Sequence, residues 1–249
     1  MVKIDAIVLA AGYATRLYPL TENTPKPLLN IAGKPIIEHI IKKLEQINLI
    51  NKIYVVTNDK FEQHFRKWLS NFNAEKPIEI INDRTKSNEG RLGALGDIHY
   101  TINLKNINSE IVVIAGDNIF EDSLADAVNF FKKRKSSVIV LHDVKDFELA
   151  RNYGIVEVSS NIVVNFEEKP TSPKSTLAST GIYLFPKKTI SLIKKYIAQG
   201  NNPDKTGSFI EWLHKRDVVY SYITDKGWYD IGSVEQLEKA DKKYGKTAR

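Results

Sequence analysis

The sequence predicts an α/β fold: a mixed, mostly parallel sheet sandwiched by helices, with a smaller antiparallel extension. Three observations carry this. In the first half, short apolar runs alternate with helix-length segments whose apolar residues share one face. Several of those runs end directly in loops of small or polar residues, which is where open α/β sheets collect ligand contacts. In the second half the pattern changes to alternating strands joined by short turns.

Taken in order, Ile4 to Ala10 reads as a buried first strand. Pro35 to Asn48 places Ile36, Ile37, Ile40, Ile41, Leu44 and Ile47 on one helical face, with Pro35 suited to the first turn. Ile53 to Thr57 is a second strand, and Phe61, Phe65, Trp68 and Leu69 mark the core stripe of a second helix. Pro77 to Ile81 is a third strand, Asn82 to Gly93 a polar loop, and Leu92 to Leu104 a helix. Glu110 to Ala115 is a β-branched strand running into Gly116, Asp117 and Asn118. Asp117 has two readings: a ligand contact at a strand's carboxyl end, or an N-cap for the helix beginning near Asp122. Leu124 to Phe131 and Ser137 to Leu141 complete the first half as helix and strand.

Tyr153 to Val158, Ile162 to Glu168 and Leu177 to Phe185 are expected to form the antiparallel extension. The turn Glu167-Glu168-Lys169-Pro170 reads on its own as a charged surface hairpin. Ile190 to Ile197 and Phe209 to His214 read as helices, Val218 to Ile223 as a strand, and Val234 to Tyr244 as a closing helix. Gly245 to Arg249 reads as a frayed tail. No internal repeat or linker divides the chain, so residues 1–249 are expected to form one domain.

At 249 residues with 42% apolar content, the chain can build one substantial core. No apolar run approaches the roughly 18 residues that span a bilayer, and Met1 to Asp5 leads into a strand rather than a signal peptide, so a cytoplasmic protein is expected. The absence of cysteine removes disulfides, thiolate metal sites and thiol nucleophiles together. The net charge of +6 could suggest nucleic acid, but the lysines are scattered, and the densest cluster, Lys132 to Lys135, reads as a solvated helix end. A basic protein for small anionic ligands explains the charge equally well, and neither nucleic acid nor membrane is expected as a partner. The residues leave the oligomeric state open, a homo-oligomer included.

The most informative stretch is Leu9 to Leu29, LAAGYATRLYPLTENTPKPLL. Ala10, Ala11 and Gly12 keep side chains away from the main chain, so backbone N–H groups can meet an anion, and Arg16 and Lys26 add fixed positive charge. This suits a polyanion such as a nucleoside triphosphate. The plainer reading is a strand-to-helix connection with two solvated cations.

LAAGxxTRLxPLT, followed by PKPLL and by Gly33-Lys34-Pro35, closely resembles the amino-terminal signature of the sugar-phosphate nucleotidyltransferases. The resemblance extends in order along nearly the whole chain, through GDN (Gly116 to Asn118), Tyr153-Gly154, EEKP and WYDIG (Trp228 to Gly232). It implies a Rossmann-like fold with a nucleotide-binding half near residues 1–145 and a sugar-phosphate-binding half near 146–245. Ala11, Gly12, Arg16 and Lys26 would hold the nucleotide. Asp117 and Asp230 would bind a magnesium ion between the α-phosphate and the sugar phosphate. Gly154, Glu168 and Lys169 would surround the sugar phosphate, whose own oxygen is the nucleophile. The five histidines are then expected to be structural or exposed. One departure is visible: many members read GxGTR, whereas Ala14 stands here before Thr15 and Arg16, and alanine admits positive φ less readily than glycine.

Base recognition in uridylyl- and thymidylyl-transferring members uses a glutamine five positions before the glycine of an LG pair. Counting from Gly93, that position holds Asn88, which has the same amide on a side chain one methylene shorter. Ser179 stands where several N-acetylhexosamine uridylyltransferases have asparagine before TG. At these two positions the nucleoside and the sugar are therefore both open; dTTP or UTP with glucose 1-phosphate is the favoured pair. A CTP- or GTP-dependent relative with another phosphorylated acceptor is the alternative within enzymes, and a non-catalytic sugar-nucleotide-binding subunit the alternative outside them. Because the sequence stops near Arg249, the long carboxyl-terminal repeat domain of bifunctional relatives, and acyltransferase activity with it, is not expected.

Overall fold

The computed structural model describes residues 3–247. In chain order it contains β1 (Ile4–Leu9), β2 (Asn30–Ile31), β3 (Lys34–Pro35), α1 (Ile36–Glu45), β4 (Ile50–Thr57), α2 (Glu62–Asn71), β5 (Ile78–Asn82) and α3 (Ala94–Leu104). There follow β6 (Glu110–Ala115), β7 (Asn118–Phe120), α4 (Leu124–Arg134), β8 (Ser137–Asp143), α5 (Phe147–Ala150), β9 (Gly154–Ser159), β10 (Ile162–Glu168) and β11 (Leu177–Phe185). The chain closes with α6 (Lys187–Ala198), α7 (Thr206–Leu213), β12 (Val219–Thr224), β13 (Trp228–Asp230) and α8 (Val234–Thr247).

Nine strands form one continuous sheet in the order β5-β4-β1-β6-β11-β8-β12-β10-β9. The β5-β4-β1-β6 block is parallel throughout. β11 then enters antiparallel between β6 and β8, β12 lies parallel to β8, and the β9–β10 hairpin ends the order, with Ile155 of β9 pairing back to Ala178 of β11. The antiparallel part is thus partly an extension and partly an insertion into the middle of the sheet.

The two-residue period of the strands sorts their side chains into two cores. Ile4, Ala6 and Val8 of β1, Val112 and Ile114 of β6, and Val138 and Val140 of β8 face one side, where α1, α2, α4 and α8 cover them. Ile7, Val113, Ile139 and Tyr183 face the other, under α3, α6 and α7. In α1 the residues Ile36, Ile37, Ile40, Ile41 and Leu44 are all buried, the stripe expected from the sequence.

Several details differ from expectation. Pro35 lies in β3 and serves as the N-cap of α1 instead of entering its first turn. α8 continues through Gly245 to Thr247, so those residues are helical rather than frayed; Ala248 and Arg249 lie outside the described residues, as do Met1 and Val2. Glu167 and Glu168 end β10, and the turn proper starts at Lys169, whose φ is 51°.

Candidate functional site

The loop after β1 is held by hydrogen bonds that leave one side open. Ala10 N–H donates to Val56 O at 2.8 Å, and the buried Asn58 Nδ2 donates to Ala11 O at 2.8 Å. Ala14 adopts the left-handed conformation at φ 47°, ψ 42°, and its carbonyl accepts from Thr21 Oγ1 at 2.7 Å. The turn is therefore kept despite the alanine, with Thr21 and Leu17 N–H closing it. A side chain built at Gly12 would meet nothing within 4 Å, which leaves the main chain there open to a ligand. Arg16 is exposed at the loop's tip, whereas Lys26 is buried beside it, 8% exposed.

β6 lies beside β1, and its exit brings Asp117 to this loop. Gly116 N–H donates to Leu9 O at 2.8 Å, and a methyl group at Gly116 would stand 2.5 Å from that same oxygen, so only glycine permits the approach. Lys26 Nζ then reaches Asp117 Oδ2 at 2.7 Å. Asp117 does not cap α4. Ser123 does, its Oγ accepting from Ala125 N–H at 3.2 Å.

A short ribbon brings in the second carboxylate. β13 pairs antiparallel with β7, with Asp230 opposite Asn118 and Trp228 opposite Phe120. Trp228 Nε1 donates to Asn118 Oδ1 at 3.1 Å, which ties the ribbon together by side chains too. The Asp230 carboxyl is pushed up to about 6, first by burial and then by the charge of Asp117, while Lys26, Arg16 and Lys169 oppose the rise. One carboxylate and three cations, from the loop after β1, the exit of β6 and the turn after β10, thus act on Asp230 of β13. Tyr153 borders the group; its hydroxyl is pushed up to about 12 by burial and by Asp230, and its ring meets that of Trp228 at 5.0 Å.

On the second-half side, Gly154 begins β9 directly opposite Glu168 of β10. Lys169 N–H donates to Tyr153 O at 2.9 Å, which fixes the left-handed turn that carries its ammonium group. Glu168 Oε1 pairs with Lys205 Nζ at 3.1 Å. On the other flank Gly93 precedes α3 at φ 80°, and Asn88 O accepts from Arg91 Nη1 at 2.8 Å. Arg91 Nε in turn reaches Asp204 Oδ1 at 2.9 Å.

All of these segments border one open cleft of about 1140 Å³. Ala11, Gly12, Arg16, Lys26, Asn88, Gly93, Asp117, Gly154, Glu168, Lys169 and Asp230, every residue singled out from the sequence, line it. None of the five histidines does. His39 Nε2 contacts Ile31 O at 2.8 Å, and the His64 ring packs edge-on against Phe61. Sequence reasoning missed other lining residues, among them Tyr13, Asp97, Asp204, Gln236 and Lys239. For Asp97 a faint signal existed: with Thr101 it lies four residues apart along the edge of the Leu95-Ile98-Ile102 stripe.

Among the described residues no group of three or more histidine, aspartate or glutamate side chains is arranged to hold a metal ion unaided. Asp117 and Asp230 nonetheless fit a hard divalent cation that keeps water and substrate oxygens as its other ligands. The Asp230 carboxyl is raised first by burial and then by the charge of Asp117, and both are burdens such a cation would relieve. Among the same residues no helix is long and apolar enough to cross a membrane.

Comparison with known proteins places the chain among relatives of the same fold. The bifunctional protein GlmU of Methanocaldococcus jannaschii is 35% identical over 240 residues, 96% of this chain and 54% of that protein. The chain therefore spans about half the length of such relatives. The UTP–glucose-1-phosphate uridylyltransferase AglF of Haloferax volcanii is 27% identical over 242 residues, 96% of each chain. Among solved structures, a candidate glucose-1-phosphate thymidylyltransferase from Bacillus anthracis, in complex with sucrose, superposes with a TM-score of 0.84 at 28% identity, covering 96% of this chain and 94% of that one. The family profile described as nucleotidyl transferase matches residues 5–247, and with that match the chain belongs to the nucleotidyl transferase family.

Proposed function

We propose that this chain forms a nucleoside diphosphate sugar and pyrophosphate from a nucleoside triphosphate and a sugar 1-phosphate. The observation that carries the reading is the cluster of Arg16, Lys26 and Lys169 around Asp117 and Asp230 in one cleft. Bringing two phosphate anions together is the main electrostatic obstacle to this reaction, and fixed cations on both sides of a carboxylate pair oppose it. In the proposed step an oxygen of the sugar phosphate attacks the α-phosphorus in line, and the bond from that phosphorus to the bridging oxygen of the β-phosphate breaks. The electron pair leaves with pyrophosphate. Arg16 and Lys26 stabilise the charge that moves onto the leaving group, and Lys169 holds the incoming phosphate. Because the nucleophile belongs to the substrate, no protein hydroxyl or imidazole has to be activated. Magnesium, held by Asp117 and Asp230, would supply charge neutralisation between the two phosphates.

In this reading residues 1–145 supply the nucleotide side and residues 146–245 the sugar-phosphate side, in a cytoplasmic enzyme. dTTP or UTP with glucose 1-phosphate is the favoured pair. The names of the uridylyltransferase and thymidylyltransferase relatives support it. So does Asn88, whose amide can pair with N3–H and a carbonyl of uracil or thymine.

The test is pyrophosphate release across a grid of nucleoside triphosphates and sugar 1-phosphates. CTP should be poorer than UTP by about ten- to a hundredfold, the size of one or two lost hydrogen bonds. A preference for GTP or ATP would refute the pyrimidine reading and leave the transfer chemistry standing. No release from any pair would refute the reaction.

A further inference from the structure

Asp97 lines the cleft yet has no part in the reaction proposed above. It sits in the first turn of α3, four residues after Gly93, and is 6% exposed. Its Oδ1 finds no hydrogen-bond donor among the described residues. The side chain it meets is Asp83, just beyond β5 and 3% exposed. Asp83 Oδ1 already accepts from Thr85 N–H at 2.7 Å and from Thr85 Oγ1 at 2.8 Å. Thr85 lies near Tyr13 in the loop after β1, another cleft-lining residue, whose buried hydroxyl makes no hydrogen bond among the described residues.

The other titratable groups around this cluster are Asp59, from the loop after β4, and Glu89, from the same loop as Thr85. Neither can neutralise a carboxylate, and among the described residues no cation is a cause of the Asp97 shift. Two buried carboxyl groups in contact, with no cation between them, cannot both stay ionised. Asp97 bears the larger burden: burial first, then the charge of Asp83, push it up to about 8.

We propose that Asp97 is a positioning residue for the nucleotide: as a neutral acid it donates its proton to Asp83, and this bond ties the first turn of α3, with Gly93, to the segment that opens the base-side loop. The inference rests on reading the cleft as a nucleotide site. When Asp97 gives its proton to solvent the bond becomes a repulsion, and the loop carrying Asn88 loosens. Asp97→Asn keeps a donor toward Asp83 and removes the titration. Asp83→Asn does the converse, letting Asp97 ionise while it accepts from the new amide.

The experiment measures UTP binding by calorimetry at about pH 6.5 and about pH 9, on either side of the Asp97 titration, in wild type and both variants. Tryptic cleavage after the exposed Lys86 and Arg91, in the ligand-free proteins at the same pH values, reads the loop directly. The wild-type Kd should rise about tenfold between the two pH values, with faster loop cleavage at the higher one, and each variant should change by less than about threefold. Parallel pH profiles in all three proteins overturn the shared proton. If cleavage separates the proteins while UTP binds none of them, the pairing of Asp97 with Asp83 stands and the nucleotide reading of the cleft falls.

Discussion

Replacing Gly93 with alanine should destabilise the protein by several kcal/mol, for reasons that lie wholly in backbone geometry. The new methyl group would stand 2.8 Å from Pro203 O and 2.9 Å from Asp204 N, and nearer still to Asp204 Cα. All three are main-chain atoms, so no side chain can swing aside to admit it. Gly93 also sits at φ 80°, ψ 165°, a region almost reserved for glycine, where strain costs about 1–3 kcal/mol. The segment that must retreat is the one that caps α3: Ala94 N–H donates to Asp204 O at 2.9 Å and Leu95 N–H to Pro203 O at 3.0 Å. Weakening those two bonds adds about 0.5–1.5 kcal/mol each. The sum, on the order of 3–5 kcal/mol, is a large share of an ordinary folding free energy. At about 2–4 °C per kcal/mol for a chain of this size, the melting midpoint should fall by roughly 10 °C. Gly90→Ala is the control, because its methyl would meet nothing closer than Ser87 Oγ at 3.6 Å. Thermal unfolding followed by circular dichroism decides the matter, and a Gly93→Ala midpoint level with that of Gly90→Ala would refute the reasoning.

Asp117→Ala or Asp230→Ala should lower turnover by about a thousandfold or more while the fold survives, and near-normal magnesium-dependent turnover in either folded variant would remove the metal assignment. Lys169→Ala should raise the KM for the sugar phosphate with nucleotide affinity close to wild type, whereas Arg16→Ala should weaken the nucleotide; the reverse pattern in paired calorimetry and kinetics would exchange the two pockets. Asp97→Asn should also change stability with pH: between pH 3.8 and about 8 the unfolded wild-type chain has lost the Asp97 proton and the folded chain keeps it, so wild-type stability falls as pH rises through that window. At pH 7 the variant should therefore gain up to about 4 kcal/mol, shrinking toward pH 4, and urea unfolding with a pH-independent difference between the two proteins would contradict it.

What could be read from the sequence, and what could not, follows the range over which each feature is encoded. β6 and β8 are continuous β-branched runs, and α1 is an unbroken apolar stripe, so each announces itself within its own few residues. The insertion of β11 between β6 and β8 left only a hint, the fully buried stretch Ile182 to Phe185 at the end of a strand whose first half alternates. β7 and β13 have three residues each, too few for any period, and they pair across more than a hundred positions. Yet this ribbon is what sets Asp230 beside Asp117. Local pattern alone favours an N-cap for Asp117, and the family motif, not periodicity, pointed to its pairing with Asp230. Asp97 left only the faint signal of its spacing from Thr101 along the α3 stripe, and no motif marks it. A carboxylate at the edge of an amphipathic helix ordinarily faces solvent. Its charge state is set by its burial and then by Asp83, which follows β5 and carries no local mark of a partner. Fold and motif are short-range properties of the chain, whereas the charge state of a buried acid is set by whatever the folded sheet brings against it.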